Sequence, residues 1–166
     1  MRAARNTIHY YCQGNGLETY QPRFTHQGFR YVKIEAWPGT PQPEDFTGVV
    51  IHSDMPVIGG FSCSNELVNQ LQHNILWGQK GNFVDVPTDC PQRDERLGWT
   101  GDAQVFSRTA CFNMDTALFY RKWLADLAID QAPNGAVPNV VPDVLKGIFG
   151  PPASACGWAD AAVIIP

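Results

Sequence analysis

The sequence predicts a mixed fold, strands first and helices after, with the change near residue 55. Two observations carry this. Short runs of β-branched and aromatic residues, punctuated by glycine and proline, fill the part before residue 55. Beyond it, apolar residues recur at three- and four-residue spacing, the period of an amphipathic helix.

The strand candidates come in order. TIHYYC is the first, and the GNG at Gly14 to Gly16 ends it. PRFTHQGFRYVKIEAW follows, with a turn signal at His26-Gln27-Gly28. In its second half Arg30, Val32, Ile34 and Ala36 fall on one face, and Phe29, Tyr31, Lys33 and Glu35 on the other, the period of two expected of a sheet strand. A proline-rich loop, PGTPQPEDF, separates it from GVVIHS. Short strands with frequent turns suggest part of an antiparallel sandwich, too few to close one.

The helix candidates start with SNELVNQLQHNILWGQ. Leu67, Leu71 and Ile75 lie four apart and Val68 and Leu76 widen the stripe; Ser62 or Ser64 can cap it and Gly78 or Gly81 can end it. A shorter helix is expected from Asp102. The clearest is DTALFYRKWLADLAIDQAP, with Asp115 as cap and Pro133 as stop. Phe119, Trp123 and Leu127 form its apolar row, Tyr120, Leu124 and Ala128 lie beside it, and Lys122, Asp126 and Asp130 lie opposite. GWADAAVIIP is the last candidate. Between these lie two long loops, 85–101 and 132–156, a length uncommon inside a domain unless the loop is functional.

Composition narrows the function. A net charge of −4 offers no footprint for nucleic acid or an anionic membrane, so neither is an expected partner. No apolar run approaches the ~20 residues that span a bilayer. The opening MRAARNTIHYYCQGNG has basic residues but no apolar segment behind them, unlike a secretory signal. The expectation is a cytoplasmic protein or a native N-terminus that lies elsewhere, so localisation stays open. The five cysteines, Cys12, Cys63, Cys90, Cys111 and Cys156, are widely spaced without C-x-x-C. Free and mostly buried thiols are expected, rather than a zinc site or a disulfide framework.

Charge is concentrated in PTDCPQRDERLGWTGDAQ. Between Asp89 and Asp102 this stretch holds four carboxylates, two arginines, a tryptophan and two glycines. Clustered carboxylates repel, so one of them can keep its proton at neutral pH and deliver it to a leaving oxygen. An arginine fork can hold hydroxyls or carboxylates in fixed geometry, and Trp99 offers a flat face suited to a sugar ring. Glycoside hydrolysis uses such a set, one carboxylic acid and one carboxylate about the scissile bond. The same residues also fit a turn-rich surface loop whose acids pair with its own arginines, with Trp99 as a core anchor and Asp102 as a helix cap.

The run NFVDVPTDCPQRDERLGWTGDAQVFSRTACFNMD closely resembles the bacterial α-L-rhamnosidases, the inverting glycoside hydrolases of family 78. GWADAAVIIP resembles a second stretch of that family, usually G-W-G-D-A, with Ala159 where glycine is common. PRFTHQGFRYVKI resembles the end of the family's β-sandwich, and FSCSNELVNQLQHNILWGQ the helix that joins it to the catalytic domain. The resemblance implies the C-terminal part of a β-sandwich over residues 1–55, a linker helix over 56–82, and the first helices of an incomplete (α/α)6 barrel over 83–166. It makes Glu95 the general acid. It makes Asp89, Arg93 and Asp102 the residues that hold rhamnose hydroxyls and tune that acid, and Trp99 and Trp158 part of the sugar pocket. Asp94 and Arg96 take supporting roles; Trp37, Trp77 and Trp123 are expected in the core. Rhamnose-containing glycosides are the implied substrates, with no metal and no cofactor.

A complete barrel of six helical pairs needs roughly 200 residues, and the helical part here offers four candidate helices. The family's general base, a glutamate, falls beyond residue 166. The chain therefore resembles an internal fragment carrying the acid half of a two-carboxylate site, inactive alone and prone to self-association through exposed helix faces. Two alternatives remain: a glycosidase of the same architecture for another sugar, or a module that binds sugar without cleaving it.

Overall fold

The computed structural model describes residues 4–148 and 154–166. Residues 149–153 of the expected second loop lie outside them. Among the described residues four α-helices follow one another: α1 (Glu66–Asn82), α2 (Thr100–Asn113), α3 (Ala117–Asp130) and the single turn α4 (Ala161–Ile164). Between α1 and α2 lies a short antiparallel hairpin, β1 (Phe83–Val84) and β2 (Val86–Pro87), in which Phe83 faces Pro87 and Val84 faces Val86.

Helix α3 carries the core as its sequence pattern predicts. Phe119, Trp123 and Leu127 are buried in one row with Tyr120 beside them, whereas Ala128 is exposed. Phe83 stacks on Phe119 with ring centroids 4.6 Å apart and meets Phe106 and Tyr120 edge-on. Met55, Met114, Val137 and Val141 complete this cluster. The buried face of α2 is built from small residues, Thr100, Ala103, Ser107 and Ala110, so neighbouring backbone can approach closely.

Several local expectations are corrected. Asn65, not Ser62 or Ser64, caps α1, accepting from the Leu67 N–H at 3.0 Å. Gly78 and Gly81 lie inside that helix. Asp102 sits in the first turn of α2, whose N-cap is Trp99. Asp115 stands one residue before the cap of α3, Thr116, yet still accepts from the Ala117 N–H at 3.2 Å. The apolar stripe of α1 meets the core only toward its C-terminal end, where Leu76 packs on the core cluster, whereas Leu67 is 81% exposed. Amides anchor the helix as well. Gln79, fully buried, donates to the Ala110 carbonyl and accepts from Asn113, which in turn accepts from Gln72 at 2.9 Å. Buried amides must be paired, so this network sets which face of α1 turns inward. Trp123 is in the core as expected. Trp37 and Trp77 are not: each is partly exposed, resting on Phe46 and on His73 and Lys80 respectively. No cysteine is buried; Cys90 is half-buried and the other four are exposed.

Before residue 55 no described residue belongs to a strand, and the one regular element is a turn of 3-10 helix at Pro43–Asp45. The sandwich expected from the alternation is therefore not seen. An alternating sequence forms a strand only when a neighbour supplies its ladder hydrogen bonds, and here Tyr31, Val32, Val49 and Val50 are all exposed. The segment joins the helical part at Ser53, whose N–H donates to the Phe83 carbonyl and whose hydroxyl accepts from Asp85. No helix among the described residues is long and apolar enough to cross a membrane.

Residues 57–59 bridge onto the turn between α2 and α3, with Ile58 and Gly59 N–H groups on the Asn113 carbonyl. A Cβ at Gly59 would sit 1.7 Å from the Phe112 carbonyl oxygen, whereas one at Gly60 meets nothing within 4 Å. Gly59→Ala is expected to cost about 1–3 kcal/mol through this clash and Gly60→Ala less than about 0.5 kcal/mol. Urea unfolding midpoints of the two variants check the contrast.

Candidate active site

The acid-rich stretch leaves β2 and runs to the start of α2. Its far end is fixed by the second long loop. The Thr100 N–H donates to the Asn139 carbonyl and the Val141 N–H to the Gly98 carbonyl, each at 2.9 Å, so Trp99 and Val140 form an antiparallel bridge. A side chain at Gly98 would lie 2.3 Å from the Val141 carbonyl oxygen, which explains the glycine. The buried Trp123 indole donates to that same oxygen at 3.0 Å.

Within this frame Arg93 collects two carboxylates. Its Nη2 pairs with Asp89 and lies 3.1 Å from Glu95 Oε1. The Trp99 indole N–H lies 3.4 Å from Glu95 Oε2. Both carboxylates are largely shielded, with side-chain exposures of 9% for Asp89 and 13% for Glu95. Two buried polar atoms of the cluster, Asp89 Oδ1 and Arg93 Nε, have no hydrogen-bond partner among the described residues.

Asp102 is exposed as a residue, yet its carboxyl is pushed up from the ordinary carboxylate value, first by partial loss of solvent and then by the negative charge of Asp89. Burial and Asp89 also push the Cys90 thiol up, so it stays a neutral thiol. The Trp158 indole lies over Gly101, 3.0 Å from where a side chain there would begin. Gln104 donates to the Gly157 carbonyl at 3.0 Å and ties the tryptophan's turn to α2.

Asp89, Arg93, Glu95, Trp99 and Asp102 are thus brought together, and Trp158 sits at the adjoining helix start. Among the described residues no group of His, Cys, Asp and Glu could hold a metal. Surface concavities at Thr19–Arg23 and around Cys111, Tyr120 and Ile165 lie away from the cluster. Sequence reasoning missed two partners. One is the loop at 139–141. The other is the segment His26–Gly28: Arg96 donates to the His26 carbonyl at 2.7 Å, and a Cβ at Gly28 would be 2.8 Å from the Pro91 carbonyl. The His26-Gln27-Gly28 turn signal was visible, but nothing local pointed to its contact. Arg96 itself holds φ at +37°, a left-handed conformation that costs a non-glycine residue about 1–2 kcal/mol.

Residues 56–166 match the bacterial α-L-rhamnosidase 6 hairpin glycosidase domain, and residues 1–52 match the bacterial α-L-rhamnosidase concanavalin-like domain. An α-L-rhamnosidase of Streptomyces avermitilis is 47% identical over the whole chain, which spans 16% of that protein. One from Formosa agariphila is 47% identical over 99% of the chain, which spans 18% of it. The crystal structure of the S. avermitilis α-L-rhamnosidase complexed with L-rhamnose superposes with a TM-score of 0.87 at 47% identity, covering 93% of this chain and 15% of that one. The α-L-rhamnosidase of Aspergillus terreus gives 0.83 at 49% identity, over 92% and 18%.

The Asp102 environment has a pH signature. Its carboxyl binds a proton more tightly folded than unfolded, so the stability this group contributes is fully present below its ordinary value of 3.8. That contribution is lost as pH rises through the higher folded value. Asp102→Asn removes the loss. The variant's stability relative to the parent is expected to climb as pH rises from about 4 to about 7, read from urea midpoints at each pH; a constant difference would contradict it.

Proposed function

The chain belongs to the bacterial α-L-rhamnosidase family, and from that premise we propose that it supplies the acid wall of an inverting α-L-rhamnosidase site. In this reading residues 1–55 end a β-sandwich, 56–82 link it to the catalytic domain, and 83–166 begin an (α/α)6 barrel. The observation that carries the proposal is the Asp89–Arg93–Glu95 cluster with its two buried, unpartnered atoms. A sugar hydroxyl both accepts and donates, so one hydroxyl, or two neighbouring ones, can satisfy Arg93 Nε and Asp89 Oδ1 together. Pairing them recovers the desolvation that the cluster otherwise carries.

Glu95 is the general acid. Its proton passes to the glycosidic oxygen as the bond from that oxygen to the anomeric carbon breaks. Water attacks the anomeric carbon from the opposite face, deprotonated by a second carboxylate ~6.5–9.5 Å from the acid, and rhamnose leaves with inverted configuration. That second carboxylate lies outside these 166 residues. Asp89 and Arg93 hold the ring hydroxyls, and Asp102, beside them in charge, tunes the cluster. Trp99 and Trp158 offer faces to the C–H side of the sugar. L-rhamnose is the favoured sugar because the superposing S. avermitilis enzyme is complexed with it. The exposed apolar faces of the helices, Leu67, Leu71, Val105 and Leu118 among them, are the surfaces that further helices cover. Left bare, they drive self-association.

In the full-length enzyme, Glu95→Gln is expected to lower kcat on alkyl α-L-rhamnosides by roughly 10²–10⁴-fold. Steady-state kinetics on a panel of glycosides tests both halves of the reading. Undiminished turnover by the variant removes Glu95 from its role, and preference for another sugar removes rhamnose.

A further inference from the structure

The segment upstream of the helices is exposed almost throughout. Between residues 4 and 51, the one run of consecutive residues that is not fully exposed is His26, Gln27 and Gly28. That run is where the segment meets the acid-bearing loop. The Arg96 guanidinium donates to the His26 carbonyl at 2.7 Å across 70 residues of sequence. Gly28 lies so close to Pro91 that a Cβ would stand 2.8 Å from its carbonyl carbon and oxygen and 2.9 Å from the Gln92 nitrogen. The two contacts grip the loop on either side of Glu95: Pro91 before Arg93, and Arg96 directly after the carboxylate.

Arg96 is also the residue whose backbone is left-handed, at φ +37°. A non-glycine residue keeps that conformation only when its surroundings over-determine it, and the bond from its side chain to the His26 carbonyl is part of those surroundings. Releasing the side chain frees the backbone to relax toward negative φ. Because Arg96 follows Glu95 directly, that relaxation re-aims the carboxyl relative to Arg93 and Trp99.

We propose that Arg96 is a positioning residue, clamped to the upstream segment through the His26 carbonyl, that sets the aim of Glu95 at the glycosidic oxygen. The proposal rests on Glu95 being the general acid. It assigns the upstream segment a part in acid catalysis although that segment contributes no group to the reacting atoms.

Misaimed acids have a kinetic signature that a merely loosened fold lacks. Protonation of the leaving oxygen matters for an alkoxide and little for a stable phenolate. In the full-length enzyme, Arg96→Ala is expected to lower kcat on an alkyl α-L-rhamnoside about 10–100-fold, with little change on a 2,4-dinitrophenyl α-L-rhamnoside and little change in KM. Gly28→Ala, which disturbs the same clamp from the other side, is expected to give the same split. Arg96→Lys, which keeps one donor, restores part of the alkyl activity. Glu95→Gln serves as reference. If Glu95→Gln shows the leaving-group split and both clamp variants slow the two substrates equally, or neither, the positioning role is overturned. If Glu95→Gln shows no split, the acid assignment itself fails, and the clamp proposal with it.

Discussion

The helical part of the molecule is organised by one interaction, the pairing of residues 139–141 with residues 98–100. Two backbone hydrogen bonds of 2.9 Å and the Trp123 indole on the Val141 carbonyl close a small knot beneath the start of α2. Its members are among the most buried in the chain, with Thr100, Trp123 and Val141 at zero exposure. The consequence is geometric. Trp99 becomes the N-cap of α2, with Asp102 three residues after it in the first helical turn and Glu95 four residues before it in the loop that leads in. A loop of such length, bearing four acids and two arginines, would otherwise sample many shapes. Apolar burial at α3, reached through the Trp123 indole, offsets part of the cost of ordering it.

The charges then meet in a setting that would be unfavourable without Arg93. Asp89 and Glu95 are both shielded from water, and two shielded carboxylates repel. One guanidinium between them relieves this, yet it leaves an oxygen and a nitrogen unpaired. A structural ion pair would be arranged to satisfy all its atoms, since each unpaired buried group costs on the order of 1–3 kcal/mol. Half-satisfied clusters of this kind mark places where a ligand completes the hydrogen bonding. The same pressure is felt at Asp102, where lost solvent and the Asp89 charge raise the carboxyl.

The parts legible from sequence are those decided within one helical repeat. The buried row of α3 is complete in its own spacing, and Trp123 belongs to the core for that reason. The gathering of Asp89, Arg93, Glu95 and Asp102 was legible because they are close in sequence as well as in space. What was not legible is decided at a distance. The inward face of α1 is fixed by the pairing of Gln79 with Asn113, 34 residues apart, beside Leu76, while Leu67 and Leu71 at the start of its apolar stripe stay exposed. The cap of α2 is chosen by a loop about 40 residues on, so Asp102, a good capping residue, is displaced into the first turn. Alternation in the upstream segment is read as strand only on the assumption of neighbours, and its exposed Tyr31 and Val32 have none among the described residues.

These two imbalances have one physical meaning. Apolar faces on α1 and α3 lie open, and the polar cluster offers a donor and an acceptor that nothing among the described residues meets. A surface open in the first sense gains free energy when more apolar structure packs on it, and one open in the second gains when a polyhydroxylated ligand fills it. In the proposed barrel the first condition prepares the second. Helices that cover the apolar faces also bring up the opposite wall, exclude water from the cluster, and so strengthen each interaction that Arg93 and Glu95 make with a bound sugar.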